Sequence, residues 1–224
     1  MVRALSAAKD VAAALCLLSL LLGQAACGKS TPSSPSTWSS PPGSSDPLPG
    51  IEGMLAAKVL GNPDATISMI EYSSLTCSYC AGFHAETLPL IKEHYIDTGK
   101  VALIYRDFPA DNGAALSASI VARCSGDRFF SVLDHLYRTQ ATWAGSANVT
   151  SALASAVAPF GMTTAEISAC LSSTELRSGI VAMRAQGQAE HSVWAVPTFV
   201  INGQRIEGAQ PYASFAAVID SLLQ

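Results

Sequence analysis

The sequence has few charged residues, no long run of basic residues and no repeat of fixed period. Charged residues make up 13% of the 224 positions and hydrophobic residues 49%, so there is ample material for a core and general disorder is excluded. The net charge of −4 and the lack of a basic run argue against a surface that binds nucleic-acid phosphates. The length fits one domain with an embellishment better than two full domains.

The N-terminal apolar run is too short for an ordinary membrane span and predicts an export signal. Arg3 and Lys9 form a short basic head before the apolar residues 11–22. A signal-peptide core has about that length, whereas a transmembrane helix needs roughly 20 apolar residues. A short anchor that stays uncleaved is the alternative. We therefore interpret residues 1–27 as a signal peptide.

The signal ends in a sequence that resembles a bacterial lipoprotein signal. Two alanines directly precede Cys27, which would then be acylated and become the new N-terminus, although Gln24 stands where an aliphatic residue is usual. Ordinary cleavage at a nearby small-residue site is the open alternative. Residues 28–59 read as a linker, because 14 of the 23 residues in 28–50 are Ser or Pro and cannot bury enough apolar area to offset their ordering entropy.

The folded domain is predicted over residues 60–224, with an order of elements that indicates an α/β fold. Residues 65–72 predict a strand, 77–98 a helix that Pro89 should bend, and 101–106 a second strand. Helical periodicity then holds over about 112–187, an all-helical insertion. A hairpin around Asn202-Gly203 and a final amphipathic helix from Pro211 complete the chain.

A pair of cysteines spaced for redox chemistry opens the first helix of the domain. Cys77 lies where a strand passes into a helix, and free N–H groups and the helix dipole there lower a thiol pKa. Cys80 follows three residues later, near enough to resolve a mixed disulfide by intramolecular attack. The pattern therefore predicts a nucleophile and its resolving partner, and a structural disulfide is the alternative interpretation.

A metal site at the same cysteines is the main competing hypothesis. Cys77, Cys80 and His84 supply three soft ligands, but a structural zinc site needs four and the chain has no second closely spaced pair. We accordingly predict no metal and no cofactor, and we expect His84 on the exposed face of its helix. A periplasmic metal-binding chaperone is retained as the alternative function.

Two segments together resemble the DsbA family of bacterial thiol–disulfide oxidoreductases. They are residues 71–80, EYSSLTCSYC, and residues 196–203, VPTFVING. The resemblance covers about residues 60–224 and implies a thioredoxin fold with an inserted all-helical subdomain. It also implies that Cys77 is the nucleophile and Cys80 the resolving cysteine.

The second segment implies a cis-proline beside the redox pair. Pro197 matches that proline and Val196 the residue before it. The peptide bond before a proline is cis in only about 5–6% of cases, so this expectation comes from the resemblance. A cis turn would present the backbone of Val196 to an extended peptide, and we expect Val196, Thr198 and Tyr79 to bind substrate.

The resemblance also implies that Glu71 is a buried acid that helps proton transfer at the redox pair. From the residues alone, Glu71 on an exposed strand end is the alternative. Between the cysteines, Ser78-Tyr79 replaces the Pro-His common in the family, so no imidazolium lies beside the thiolate. Both an oxidase and a less oxidising isomerase or reductase therefore stay open.

The remaining cysteines, Cys124 and Cys170, fall on apolar helix faces of the insertion. We predict a disulfide between them, with two buried free thiols as the alternative. The function predicted is an exported enzyme of the periplasm, held at the membrane only if Cys27 is acylated. It would be a monomer that forms disulfides in reduced exported proteins. The resemblance implies a quinone-linked membrane partner of the DsbB type that reoxidises it.

Overall fold

The computed structural model describes residues 49–111 and 113–224. The predicted signal, Cys27 and residues 28–48 of the predicted linker lie outside the described residues. The rest of that linker is folded, so the predicted domain boundary at residue 60 is wrong. Helix α1 (Ile51–Leu55) buries Met54, and strand β1 (Lys58–Leu60) joins the sheet. These elements have five and three residues, too few for a periodicity that a sequence pattern could show.

The sheet contains four further strands, β2 (Ile67–Ser73), β3 (Val101–Asp107), β4 (Thr198–Ile201) and β5 (Gln204–Glu207). Their order is β1-β3-β2-β4-β5, with β2 and β3 parallel and the other neighbours antiparallel. Asn202 (φ 43°) and Gly203 (φ 88°) form the two-residue turn between β4 and β5. Both have positive φ, as this class of tight hairpin requires.

Helix α2 covers residues 78–96 and alternates between α-helical and π-helical turns. Ser78–Gly82 and Leu88–Ile91 are α-helical, whereas Phe83–Thr87 and Lys92–Ile96 are π-helical. Pro89 lies in the second α-helical piece, between the two wider turns. Proline cannot donate the usual backbone hydrogen bond, and an extra residue in the turn is one way in which a helix accommodates such a break.

The insertion between β3 and β4 is entirely helical within its described residues. Its helices are α3 (Ala114–Cys124), α4 (Phe129–Arg138), α5 (Gln140–Trp143), α6 (Val149–Val157), α7 (Thr164–Ser172) and α8 (Thr174–His191). Thr163 and Glu166 form the expected capping box of α7. After β5, helix α9 (Tyr212–Leu222) ends the fold.

The insertion extends beyond its predicted end at residue 187, because α8 continues to His191. Gly187 does not stop the helix. It brings the helix close to the sheet, since a Cβ at this position would lie 2.6 Å from Cε1 of Tyr72. The long helix thus rests directly on β2, and the loop that follows it is carried toward the start of β4.

The two faces of the sheet are covered by different helices. Ile67 and Met69 of β2 pack with Phe83 and Ile91 of α2 and with Phe215 of α9 in one buried cluster. On the opposite face, Tyr72 and Val200 pack with Phe108 and Val193. A third cluster fills the insertion and also includes Leu75, Cys80 and Tyr105, so the redox segment lies where the sheet meets the insertion. None of the helices in residues 49–111 and 113–224 combines the length and apolar character needed to span a bilayer.

Two cross-links hold the insertion together and attach it to the sheet. A disulfide joins Cys124 of α3 to Cys170 of α7, at a sequence separation of 46. Next to it, the buried Arg123 guanidinium pairs with Asp107 at the end of β3 and donates to the backbone oxygens of Met54 and Ala56. The Arg123 side chain therefore fixes the N-terminal segment, β3 and α3 in one arrangement.

Candidate active site

Cys77 is the N-cap residue of α2 and lies at the point where β2 passes into this helix. Its backbone is extended (φ −84°, ψ 120°), and its sulfur accepts a hydrogen bond from the amide of Cys80 at 3.3 Å. A residue at this position faces the unpaired N–H groups of the first helical turn. The strand-to-helix junction thus places a partly exposed sulfur at the positive end of the helix dipole.

The two thiols of the pair have very different environments. The pKa of Cys77 is lowered from 9.0 to about 6, chiefly because the Cys80 thiol donates a hydrogen bond to its sulfur. The amides of Cys80 and Tyr79 add to this effect, and partial burial opposes it. Cys80 has no exposed surface, and this burial raises the pKa of its thiol. The first proton that the pair loses therefore leaves from Cys77.

The loop before β4 closes over Cys77. The Val196–Pro197 peptide bond is cis, and the carbonyl oxygen of Val196 lies 3.5 Å from the Cys77 sulfur, within reach of a hydrogen bond from the thiol. Thr198 donates from its hydroxyl to the carbonyl of Ala195 at 2.7 Å and is only 2% exposed. The prediction that the Thr198 side chain contacts substrate is therefore wrong, because this side chain is turned inward and fixes the loop.

The surface around Cys77 carries exposed aromatic side chains. Tyr79, which follows Cys77 by two residues, is 72% exposed, and Trp194 in the loop before Val196 is 75% exposed. Both rings are therefore open to contact with another molecule. Tyr79 is thus accessible to a substrate, as expected. Trp194 could not be predicted, because a single tryptophan before a predicted strand has no pattern.

Beneath the redox pair, Glu71 is completely buried and bonded to a histidine. Its Oε1 lies 2.9 Å from Nε2 of His84, which is only 5% exposed. The expectation that His84 faces solvent is therefore wrong. The first π-helical turn of α2 contains His84, and helical spacing from neighbouring residues did not predict that this side chain turns inward. Because Nε2 of His84 is bonded to Glu71, it is not directed at the cysteines as a third metal ligand.

A chain of hydroxyl groups connects this region to the resolving cysteine. Ser73 lies on the same face of β2 as Glu71, and its hydroxyl opposes the rise of the Cys80 pKa. The Ser73 hydroxyl lies 2.8 Å from that of Tyr137, which lies 3.1 Å from that of Tyr105. Ser73 was not among the predicted site residues, although its parity with Glu71 in β2 was a usable signal.

The insertion contributes one further residue that sequence reasoning did not find. Gln140, at the start of α5, donates from its amide nitrogen to the carbonyl of Leu75 at 2.8 Å and to that of Cys77 at 3.1 Å. These bonds hold the strand-to-helix junction from the side of the helical subdomain. Among residues 49–111 and 113–224, there is no group of three or more His, Cys, Asp or Glu side chains arranged to hold a metal.

Comparisons with known proteins agree with the fold. The family model described as Thioredoxin matches residues 55–221, and the chain belongs to this family. The helical insertion between β3 and β4 makes its fold DsbA-like.

The chain is similar to several characterised or named proteins of this kind. It is 33% identical over 168 residues to a Rickettsia bellii protein whose name describes a protein-disulfide oxidoreductase. That match covers 74% of this chain and spans 64% of the relative's length. The crystal structure of Wolbachia pipientis alpha-DsbA1 superposes with a TM-score of 0.69 at 30% identity, covering 74% of this chain and 90% of that one. A protein-disulfide isomerase from Novosphingobium aromaticivorans has a TM-score of 0.65 at 25% identity, over 75% and 98% of the two chains.

Proposed function

We propose that this protein is an exported thiol–disulfide oxidoreductase that forms disulfide bonds in reduced exported proteins, its clients, through Cys77 and Cys80. The observation that carries the proposal is the inequality of the two thiols. Cys77 is partly exposed with a pKa of about 6, whereas Cys80 is buried and its pKa is raised. One sulfur is therefore suited to enter and leave bonds with a client, and the other to close or release the internal disulfide.

Client oxidation then proceeds in two exchange steps. A client thiolate attacks the Cys77 sulfur of the oxidised protein, the Cys77–Cys80 bond breaks, and Cys80 leaves with the electron pair and takes up a proton. The second thiolate of the client then attacks the client sulfur that is bonded to Cys77, and Cys77 leaves as a thiolate. The client loses two electrons and gains a disulfide, while the protein gains a thiol at Cys80 and a thiolate at Cys77.

Glu71 is the group that we assign to proton transfer with Cys80. A buried thiolate at Cys80 is costly, so it needs a proton as the internal disulfide opens. Glu71 is buried on the same strand face as Ser73, whose hydroxyl opposes the rise of the Cys80 pKa. Its Oε2 has no hydrogen-bond partner among the described residues, so this oxygen is free to hold a proton or a bridging water.

We assign client binding to the surface formed by Val196, Tyr79 and Trp194. The Val196 backbone lies beside the Cys77 sulfur and can pair with an extended peptide segment, as in recognition by strand addition. The exposed rings of Tyr79 and Trp194 offer apolar contact to the side chains of such a segment. This mode needs no fixed client sequence, which suits an enzyme with many clients.

The direction of exchange follows from the stability of the reduced state. A thiolate that is stabilised at Cys77 favours the reduced protein and so makes the oxidised protein a better oxidant. We therefore favour an oxidase that a DsbB-type membrane partner reoxidises, with an isomerase or reductase as the second candidate. The similarity to the Novosphingobium isomerase supports that second candidate. The predicted signal peptide favours export to the periplasm, and acylation of Cys27 would tether the domain to a membrane.

The proposal is tested by mixing the oxidised protein with a reduced peptide that carries two cysteines. We expect one peptide disulfide for each protein molecule reduced, measured by acid quenching and mass spectrometry. Cys77→Ser should abolish the transfer, and His94→Ala, on the exposed face of the same helix, should leave it unchanged. A wild-type protein that transfers no disulfide to the peptide would contradict the proposed function.

A further inference from the structure

Glu71 and His84 form a buried pair that the exchange steps alone do not explain. Glu71 is fully buried, His84 is 5% exposed, and the only bond of this carboxylate to another described side chain is the one to His84 Nε2 at 2.9 Å. Burying two polar groups of this kind is costly unless they are paired, and the second carboxylate oxygen is left without a partner.

His84 also lies between the redox pair and the surface. Its ring stacks on Tyr137, with ring centres 4.2 Å apart and planes inclined by 28°. The Tyr137 hydroxyl lies 2.8 Å from that of Ser73, which opposes the rise of the Cys80 pKa. On its other side, His84 lines a surface cleft between α2 and α4, together with Ala81 and Ala85 of α2.

The titratable and charged groups that face His84 can be named element by element. On β2 there is Glu71, and on β3 there is Tyr105, whose ring centre lies 6.3 Å away. Helix α4 contributes Tyr137 and, along the cleft, Asp134 and Arg138, which are paired with each other. Among the described residues that line this cleft, His84 is the one bonded to the buried Glu71 carboxylate, so its imidazole reaches from a buried acid to an opening.

We propose that His84 is a positioning residue that relays protons between Glu71 and the solvent in the cleft, and thereby sets the rate at which Cys80 gains or loses its proton. The inference rests on the proposed function. As the Cys77–Cys80 bond opens, Cys80 takes a proton from the Glu71 carboxyl, Glu71 takes one from the His84 imidazolium, and His84 takes one from water. When Cys80 attacks a mixed disulfide at Cys77, the same proton moves outward.

Two variants separate this relay from a purely structural role. His84→Gln keeps a hydrogen-bond donor toward Glu71 but has no ring that exchanges protons at neutral pH. His84→Ala opens a space at the base of the cleft that free imidazole can enter from solvent. His94→Ala serves as the matched control, because it removes an exposed histidine from the same helix. Thermal unfolding and the thiolate titration of Cys77 establish that each variant folds with an intact nucleophile.

The measurement is the single-turnover rate of disulfide transfer to the two-cysteine peptide across pH 5 to 9. Proton transfer by a positioned side chain typically accelerates a step by about 10²–10⁴-fold. Because water can replace part of the relay, we expect His84→Gln and His84→Ala to be slower by at least about tenfold. They should also lose one limb of the wild-type pH profile. Added imidazole should restore the rate of His84→Ala in proportion to its concentration, and should not change that of His94→Ala.

Three results would overturn the relay. They are a wild-type rate and pH profile in His84→Gln, a slow His84→Ala that imidazole does not accelerate, and equal acceleration by imidazole of His84→Ala and His94→Ala. Each of these requires that the wild-type protein transfers its disulfide to the peptide. A wild-type protein that transfers none would instead contradict the proposed function, so the two failures are distinguishable.

Discussion

The acidity of Cys77 depends on its neighbour, and removal of the Cys80 thiol should raise the Cys77 pKa. The largest cause of the lowered pKa is the hydrogen bond that the Cys80 thiol donates to the Cys77 sulfur. Cys80→Ala removes that donor and leaves the backbone amides of residues 79 and 80 in place. The variant therefore isolates one contribution to thiolate stability without changing the position of Cys77 at the helix N-terminus.

The expected shift can be worked out from the strength of such a bond. Hydrogen bonds to charged groups contribute about 1.5–3 kcal/mol, and one pKa unit corresponds to about 1.4 kcal/mol. The Cys77 pKa should therefore rise by about 1 to 2 units, from about 6 in the wild type to about 7 or 8 in Cys80→Ala. At pH 7 the thiolate fraction would fall from about 90% to between about 50% and 10%.

The assay is ultraviolet absorbance of the thiolate, titrated against pH in the reduced proteins. Cys80→Ser is the matched control, because its hydroxyl can still donate to the Cys77 sulfur, and its midpoint should stay closer to that of the wild type. An unchanged midpoint in Cys80→Ala would refute the assignment of the shift to the Cys80 thiol. A wild-type midpoint at or above about 8.5, the value of a free thiol, would refute the activated nucleophile altogether.

Three further predictions concern the four cysteines of the domain. The Cys77 pKa is lower in the folded than in the unfolded protein, so ionisation of this thiol adds to the free energy of unfolding. This contribution is fully present above about pH 9 and is lost as pH falls through about 6. The unfolding free energy of the reduced wild type, relative to that of reduced Cys77→Ser, should therefore rise over this window in denaturant titrations, and a flat difference would contradict it. Cys80→Ala should accumulate mixed disulfides with exported proteins on non-reducing gels, whereas equal trapping by Cys77→Ala would reverse the assigned roles. Peptide mapping without reduction should find Cys124 joined to Cys170, and replacing both with Ala should cost about 4 kcal/mol of unfolding free energy in the loop-entropy description. Alkylation of both thiols before reduction would reject the bridge.

The order of the larger elements could be predicted from the sequence because each carries a local signal. Asn202-Gly203 indicates a tight turn by its tolerance of positive φ, and Thr163 with Glu166 indicates a helix start through side-chain capping. The position of the redox pair at a strand-to-helix junction follows from the same local patterns. Helix α1 and strand β1 could not be found in this way, because they are held by contacts with distant residues such as Arg123.

The buried polar part of the site could be predicted only in part. The family resemblance implied a buried Glu71, and the structure has this residue on the core face of β2, with Ile67 and Met69. The inward turn of His84 could not be predicted, because it depends on a π-helical turn and on stacking against Tyr137 from the insertion. The role of Gln140 could not be predicted either, because its contacts with Leu75 and Cys77 join segments more than 60 residues apart.

The central claim is that a stabilised Cys77 thiolate makes the Cys77–Cys80 disulfide an oxidant for client proteins. The reduction potential of this pair, measured by equilibration with glutathione buffers at pH 7, tests the claim most directly. The account predicts a potential at or above about −180 mV, in the range of protein disulfide isomerase and of more oxidising proteins. A value near about −270 mV, typical of the reductant thioredoxin, would contradict it.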